Sequence, residues 1–108
     1  MTNPLLIAPK NFELFGLDIG TETIKAVQLR RKGSRIALSG YAIGELPAGT
    51  VKDGAIVEPE KLATAVNALL EHANVAPIRA PYVSASLPAS KIFSRVITVP
   101  TLKRKDLA

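Results

Sequence analysis

The sequence predicts an α/β domain in which three antiparallel strands are followed by a helix and a parallel fourth strand. Three observations predict it. Short apolar runs bounded by turn residues recur three times between residues 13 and 46. One amphipathic stretch follows, with Leu62, Val66, Leu69, Leu70 and Ala73 at three- and four-residue intervals. After it comes an alternating run, "YVSASLP", and a strand that follows a crossover helix usually pairs parallel to an earlier one through a right-handed connection.

Taken in order, residues 1–12 hold two prolines and little periodicity and read as a flexible N-terminal arm. "ELFGLDI" (13–19) is the first strand, its apolar run implying burial on both faces. "TIKAVQLRR" is the second. "KGS" supplies a glycine-centred hairpin turn into "RIALSGYAIGEL", the third. "PAGTVKDGAIVEP" contains the turn signals Ala-Gly and Asp-Gly around a short extended "AIV". Pro59 fits the first position of a helix, Glu58 and Glu60 place negative charge at its N-terminus, and Asn74 is a plausible stop. "KIFSRVITV" is a fifth extended run, and "PTLKRKDLA" starts a helix too short to bury a face, so the chain reads as cut short.

Composition narrows the chemistry. The 108 residues make one domain or part of one, and 47% hydrophobic residues suffice for a core. No apolar run approaches the roughly 20 residues of a membrane span, and the N-terminus has no leader pattern, which reads as a cytoplasmic chain. Zero cysteines exclude disulfides, thiolate catalysis and cysteine-bound zinc, and the single His72 leaves no transition-metal cluster. The net charge of +5 is most concentrated at Arg30, Arg31, Lys32 and Arg35, around Gly33. None of the five aromatic residues lies in that cluster, so a single-strand nucleic-acid platform is not expected and a solvated hairpin tip is. Ser84, Ser86 and Ser90 sit in no G-x-S-x-G elbow and have only His72 as an imidazole base, which argues against a hydrolase, and no Walker-type run is present.

One stretch has more chemistry than a turn needs. In "LDIGTETIKAV" a carboxylate ends a strand, a glycine follows, and hydroxyls and a lysine come next. Such a turn brings backbone N–H groups toward an anion and keeps an oxygen for Mg²⁺. Gly20 admits close backbone approach, Thr21 and Thr23 donate hydroxyl hydrogen bonds, Lys25 meets phosphate charge, and Asp18 orients a metal-bound water.

Together with "GYAIGELPAGTVKDGAIVEPEKLATAV" and "VSASLPASKIFSRVITVP", this stretch resembles the actin-like ATPase superfamily of actin, the Hsp70 chaperones, sugar kinases and FtsA. Within it, the similarity is greatest to the PilM family of type IV pilus assembly proteins, over roughly residues 15–108. The resemblance implies a ribonuclease-H-like half-domain over residues 13–90, with residues 91–108 starting the inserted subdomain of the FtsA and PilM branch. It implies ATP and Mg²⁺ at Asp18, Gly20, Thr21, Glu22, Thr23 and Lys25, with Mg²⁺ held by Asp18 through water. The nucleotide would lie between two lobes, the second encoded beyond residue 108, so this fragment alone should bind it weakly and be inactive, and the whole protein should be at most a slow ATPase.

Glu22 stands where a small polar residue is usual in the superfamily. A carboxylate about 5 Å from a phosphate is repelled by roughly 3 kcal/mol at an effective dielectric near 20, about a hundredfold in affinity unless Mg²⁺ or Lys25 offsets it. The implied partners are the cytoplasmic tail of a PilN-like inner-membrane protein and other pilus assembly proteins, with no nucleic acid. Membrane contact would be indirect, the protein being peripheral at the inner membrane through that partner. An FtsA-like cell-division protein and a sugar-kinase-like phosphotransferase are the alternatives within the superfamily.

Overall fold

The computed structural model describes residues 13–106. The first-strand prediction falls on β1 (Leu14–Ile19), the second on β2 (Thr23–Lys32), and the third on β3 (Arg35–Glu45). A short hairpin of β4 (Val51–Lys52) and β5 (Ala55–Ile56) precedes α1 (Pro59–Glu71), and β6 (Tyr82–Ala85) closes the sheet. The order across the main sheet is β3-β2-β1-β6, with β1–β2 and β2–β3 antiparallel and β6 parallel to β1. This mixed sheet with one crossover helix is the predicted α/β arrangement. The predicted flexible arm, residues 1–12, lies outside the described residues.

The helix starts where its sequence says it should, with Pro59 in the first turn and Glu60 near the positive end of the dipole. Its entry is fixed by Thr50, which is fully buried. The Thr50 Oγ1 donates to the Pro47 carbonyl at 2.6 Å, and the Thr50 carbonyl accepts from the Val57 and Glu58 amides. Asp53 and Gly54 both have positive φ, 50° and 74°, the turn geometry that a two-residue hairpin between β4 and β5 requires.

α1 packs on β2 and β3, and the strand residues beneath it are small. Ala26, Gly40, Ala42 and Gly44 face it, and a Cβ on Gly44 would stand 2.8 Å from Leu69 Cδ1. A Cβ on Gly40 would meet the Ala76 carbonyl oxygen at 2.7 Å. Two core clusters result, one around Phe15, Ala26, Ile78 and Ala80, the other around Ile24, Leu46, Val51 and Leu62. The chain leaving the helix is tied down twice: the Ile78 amide donates to the Leu70 carbonyl, and Asn74 exchanges backbone hydrogen bonds with Tyr41. The helix itself ends at Glu71, three residues short of the predicted stop at Asn74.

Two expectations are corrected. β1 is not buried on both faces: Phe15 is in the core, whereas Leu14 and Asp18 are exposed. The reason is that the described residues supply a helix for one face of the sheet only. The fifth extended run does not pair as a strand. Ala89–Lys91 is a single 3-10 turn, residues 92–103 have no ladder partner among the described residues, and Arg104–Asp106 is another 3-10 turn. Phe93 and Val96 are 90% and 94% exposed, so neither side chain packs against the sheet.

Candidate functional site

The β1–β2 turn stands at the carboxyl ends of the parallel pair β1 and β6. In open α/β sheets the crevice beyond those ends is where ligands bind. The six residues singled out in the sequence divide between the two sides of the sheet. Strand alternation places Asp18 and Lys25 directly opposite one another in the β1–β2 register, on the face that α1 does not cover. Both are exposed. Cross-strand neighbours of opposite charge have Cβ atoms about 5 Å apart, close enough to act on one ligand group together.

Around them is an open hollow of about 560 Å³, lined by Gly16, Asp18, Lys25, Ile43, Ser84 and Ser86 among others. Its polar side chains are one carboxylate, one ammonium and three hydroxyls, those of Ser84, Ser86 and Tyr41. That set suits a magnesium-bound phosphate: Asp18 offers oxygen to the cation or its waters, and Lys25 and the serines face phosphate oxygens. Sequence reasoning set Ser84 and Ser86 aside because it asked whether they were nucleophiles. Ser84 lies on β6, opposite Gly16 of β1, and Ser86 follows directly after that strand.

Gly20 and Thr21 open on the other side, into a cleft of about 590 Å³ lined also by Val51, Ile56, Leu87 and Lys91. Gly54 closes this cleft against the 86–91 segment, a Cβ there falling 3.1 Å from the Pro88 side chain. The lining is mainly apolar, with Thr21, Ser86, Ser90 and Lys91 at its edge. Ala85 and Ser86 are shared, lining both the hollow and the cleft.

The turn itself explains part of its own sequence. The Gly20 amide donates to the Thr23 carbonyl at 2.8 Å, and a Cβ on Gly20 would stand 2.9 Å from that same oxygen. Gly20 is therefore required by the turn's own closure, and its N–H is already committed. Among the described residues the amides of Thr21 and Glu22 have no backbone acceptor, so they are the donors left for an anion. Glu22 fixes the turn by its backbone, its carbonyl accepting from the Leu46 amide, while its residue is exposed and its side chain is free to turn toward water. No group of three or more His, Cys, Asp or Glu side chains that could hold a metal ion occurs among the described residues.

Comparison with known proteins places this geometry. The family model for type IV pilus assembly protein PilM matches residues 16–107. A solved structure described as a PilM-PilN type IV pilus biogenesis complex is similar at a TM-score of 0.70 and 32% sequence identity, over 88% of this chain. The chain spans 27% of the length of the chain it matches there.

Proposed function

The chain belongs to the PilM family of type IV pilus assembly proteins, and on that premise we propose that it is an actin-like scaffold of the pilus assembly machinery. It binds the cytoplasmic tail of a PilN-like inner-membrane protein in the apolar cleft at the strand ends, and Mg-ATP at the hollow on the open face. The observation that carries the reading is the likeness to a PilM-PilN complex. It is supported by a cleft whose apolar walls, Val51, Ile56 and Leu87, suit the side chains of a short peptide and whose polar rim suits its backbone.

Asp18 would hold the magnesium through water, Lys25 would balance phosphate charge, and the Thr23 hydroxyl, two residues before Lys25 on the same face of β2, would orient the phosphate tail, while Thr21 lines the peptide cleft. When bound, ATP would supply the anionic phosphate tail that these residues would hold. The residues after Ser90 enter the inserted subdomain, which forms the second wall of the peptide cleft. The protein then sits at the inner membrane through its partner.

The test is a calorimetric titration with a synthetic peptide copied from the candidate partner's cytoplasmic tail, with and without Mg-ATP. Saturable binding in either condition supports the scaffold reading, and no heat in both defeats it. Asp18→Asn should abolish the effect of Mg-ATP and leave peptide binding intact. Leu87→Asp should do the reverse.

A further inference from the structure

The β2–β3 hairpin tip has a charge that the nucleotide hollow cannot use. Arg30, Arg31, Lys32 and Arg35 are all exposed, and among the described residues none has an ion-pair or side-chain hydrogen-bond partner. β2 is 10 residues long. At about 3.3 Å per residue the tip therefore stands roughly 30 Å from the β1–β2 turn, at the other end of the sheet.

The tip is also two-faced. The register pairs Leu29 with Leu38 and Arg31 with Ile36 on the open side, and Arg30 with Ala37 and Lys32 with Arg35 on the other. Leu29, Ile36 and Leu38 are 55%, 67% and 43% exposed. A register shift at Gln28/Leu29, where the Ser39 Oγ donates to the Gln28 carbonyl at 3.2 Å, separates this outer hairpin from the helix-covered part of the sheet. Arg31 therefore shares a face with Leu29, Ile36 and Leu38, while Arg30, Lys32 and Arg35 lie on the opposite face of the same narrow two-stranded tip.

We propose that this hairpin tip docks directly on an anionic lipid surface. Lipid headgroups meet cations without demanding a fixed geometry, and the acyl boundary just below them receives Ile36 and Leu29. An acidic peptide would pair the cations and leave those apolar side chains in water. A nucleic acid would do the same and would find no aromatic side chain at the tip to stack on. Each Lys or Arg near an anionic membrane strengthens binding about fivefold, the factor equivalent to about 1 kcal/mol. Four of them give a contact of several hundredfold over neutral lipid, lost as salt shortens the Debye length.

The experiment is co-sedimentation with vesicles of phosphatidylcholine alone and of phosphatidylcholine mixed with phosphatidylglycerol, at low and high salt, with a random-sequence DNA duplex as competitor. The protein should sediment with the mixed vesicles only, and high salt should release it. Arg31→Gln combined with Lys32→Gln should lower the partition about 25-fold. Ile36→Ser should lower it a few-fold at every salt concentration. Circular dichroism melts of both variants should match the parent, since the substituted side chains are exposed. Sedimentation with neither vesicle, equal sedimentation with both, unchanged partition of either variant, or displacement by the duplex at equimolar concentration each overturns the proposal.

Discussion

The two faces of the sheet share strands and alternation but not residue size. Under α1 the strands present Ala26, Gly40, Ala42 and Gly44, with Ile24 and Phe15 filling what remains. On the open face the same strands present Val27, Tyr41 and Ile43 beside Asp18 and Lys25. The covered face is built for close approach, because a backbone or a leucine within about 3 Å of the glycine positions leaves no room for a side chain. The open face has large apolar groups with no cover in the described residues and charges with no partner. The lesson is that the size of strand residues reports how near the cover lies, while hydrophobicity alone does not tell which face is covered.

That contrast can be broken by substitution. The largest effect should come from Ile24→Ala, which empties the most buried apolar site at 1% exposure and should cost about 3–4 kcal/mol in a urea titration. Next, Gly40→Val should cost about 2–3 kcal/mol, because the new side chain meets the Ala76 carbonyl and Ile78. Gly20→Ala should cost about 1–2 kcal/mol by forcing the turn off the Thr23 carbonyl, and an amide-exchange measurement should show Thr23 and Ile24 loosened first. Thr50→Val, which removes a buried hydroxyl hydrogen bond at nearly constant volume, should cost about 1 kcal/mol. The smallest effect belongs to the open face. Ile43→Ala, at a site 70% exposed, should change stability by less than about 0.5 kcal/mol. A cost above that would mean that something covers this face in solution.

Much of the fold was legible because it obeys local rules. The period of β2, the Pro59 start of α1 and the Asp53-Gly54 turn are each written in a few adjacent residues. What was not legible depends on parts of the chain far apart. The openness of one face follows from there being a single α-helix among the described residues, and the run around Phe93 and Val96 reads as a strand by composition but pairs with neither edge strand, β3 or β6. At the site, the β1–β2 register sets Asp18 opposite Lys25, a pairing that depends on where the turn falls. Gly20 was read for its ligand although its own turn already accounts for it.

The parallel pairing of β1 with β6 has a consequence for how the chain is made. Leu14 finds its neighbour only at Tyr82, so β1 has both edges occupied only once β6 has been made. Closing so long a loop is entropically costly and slow compared with forming the β1–β2–β3 meander. During synthesis β1 therefore offers an unpaired edge to the surroundings until the helix has crossed over, and that interval is when the nascent chain most needs a chaperone.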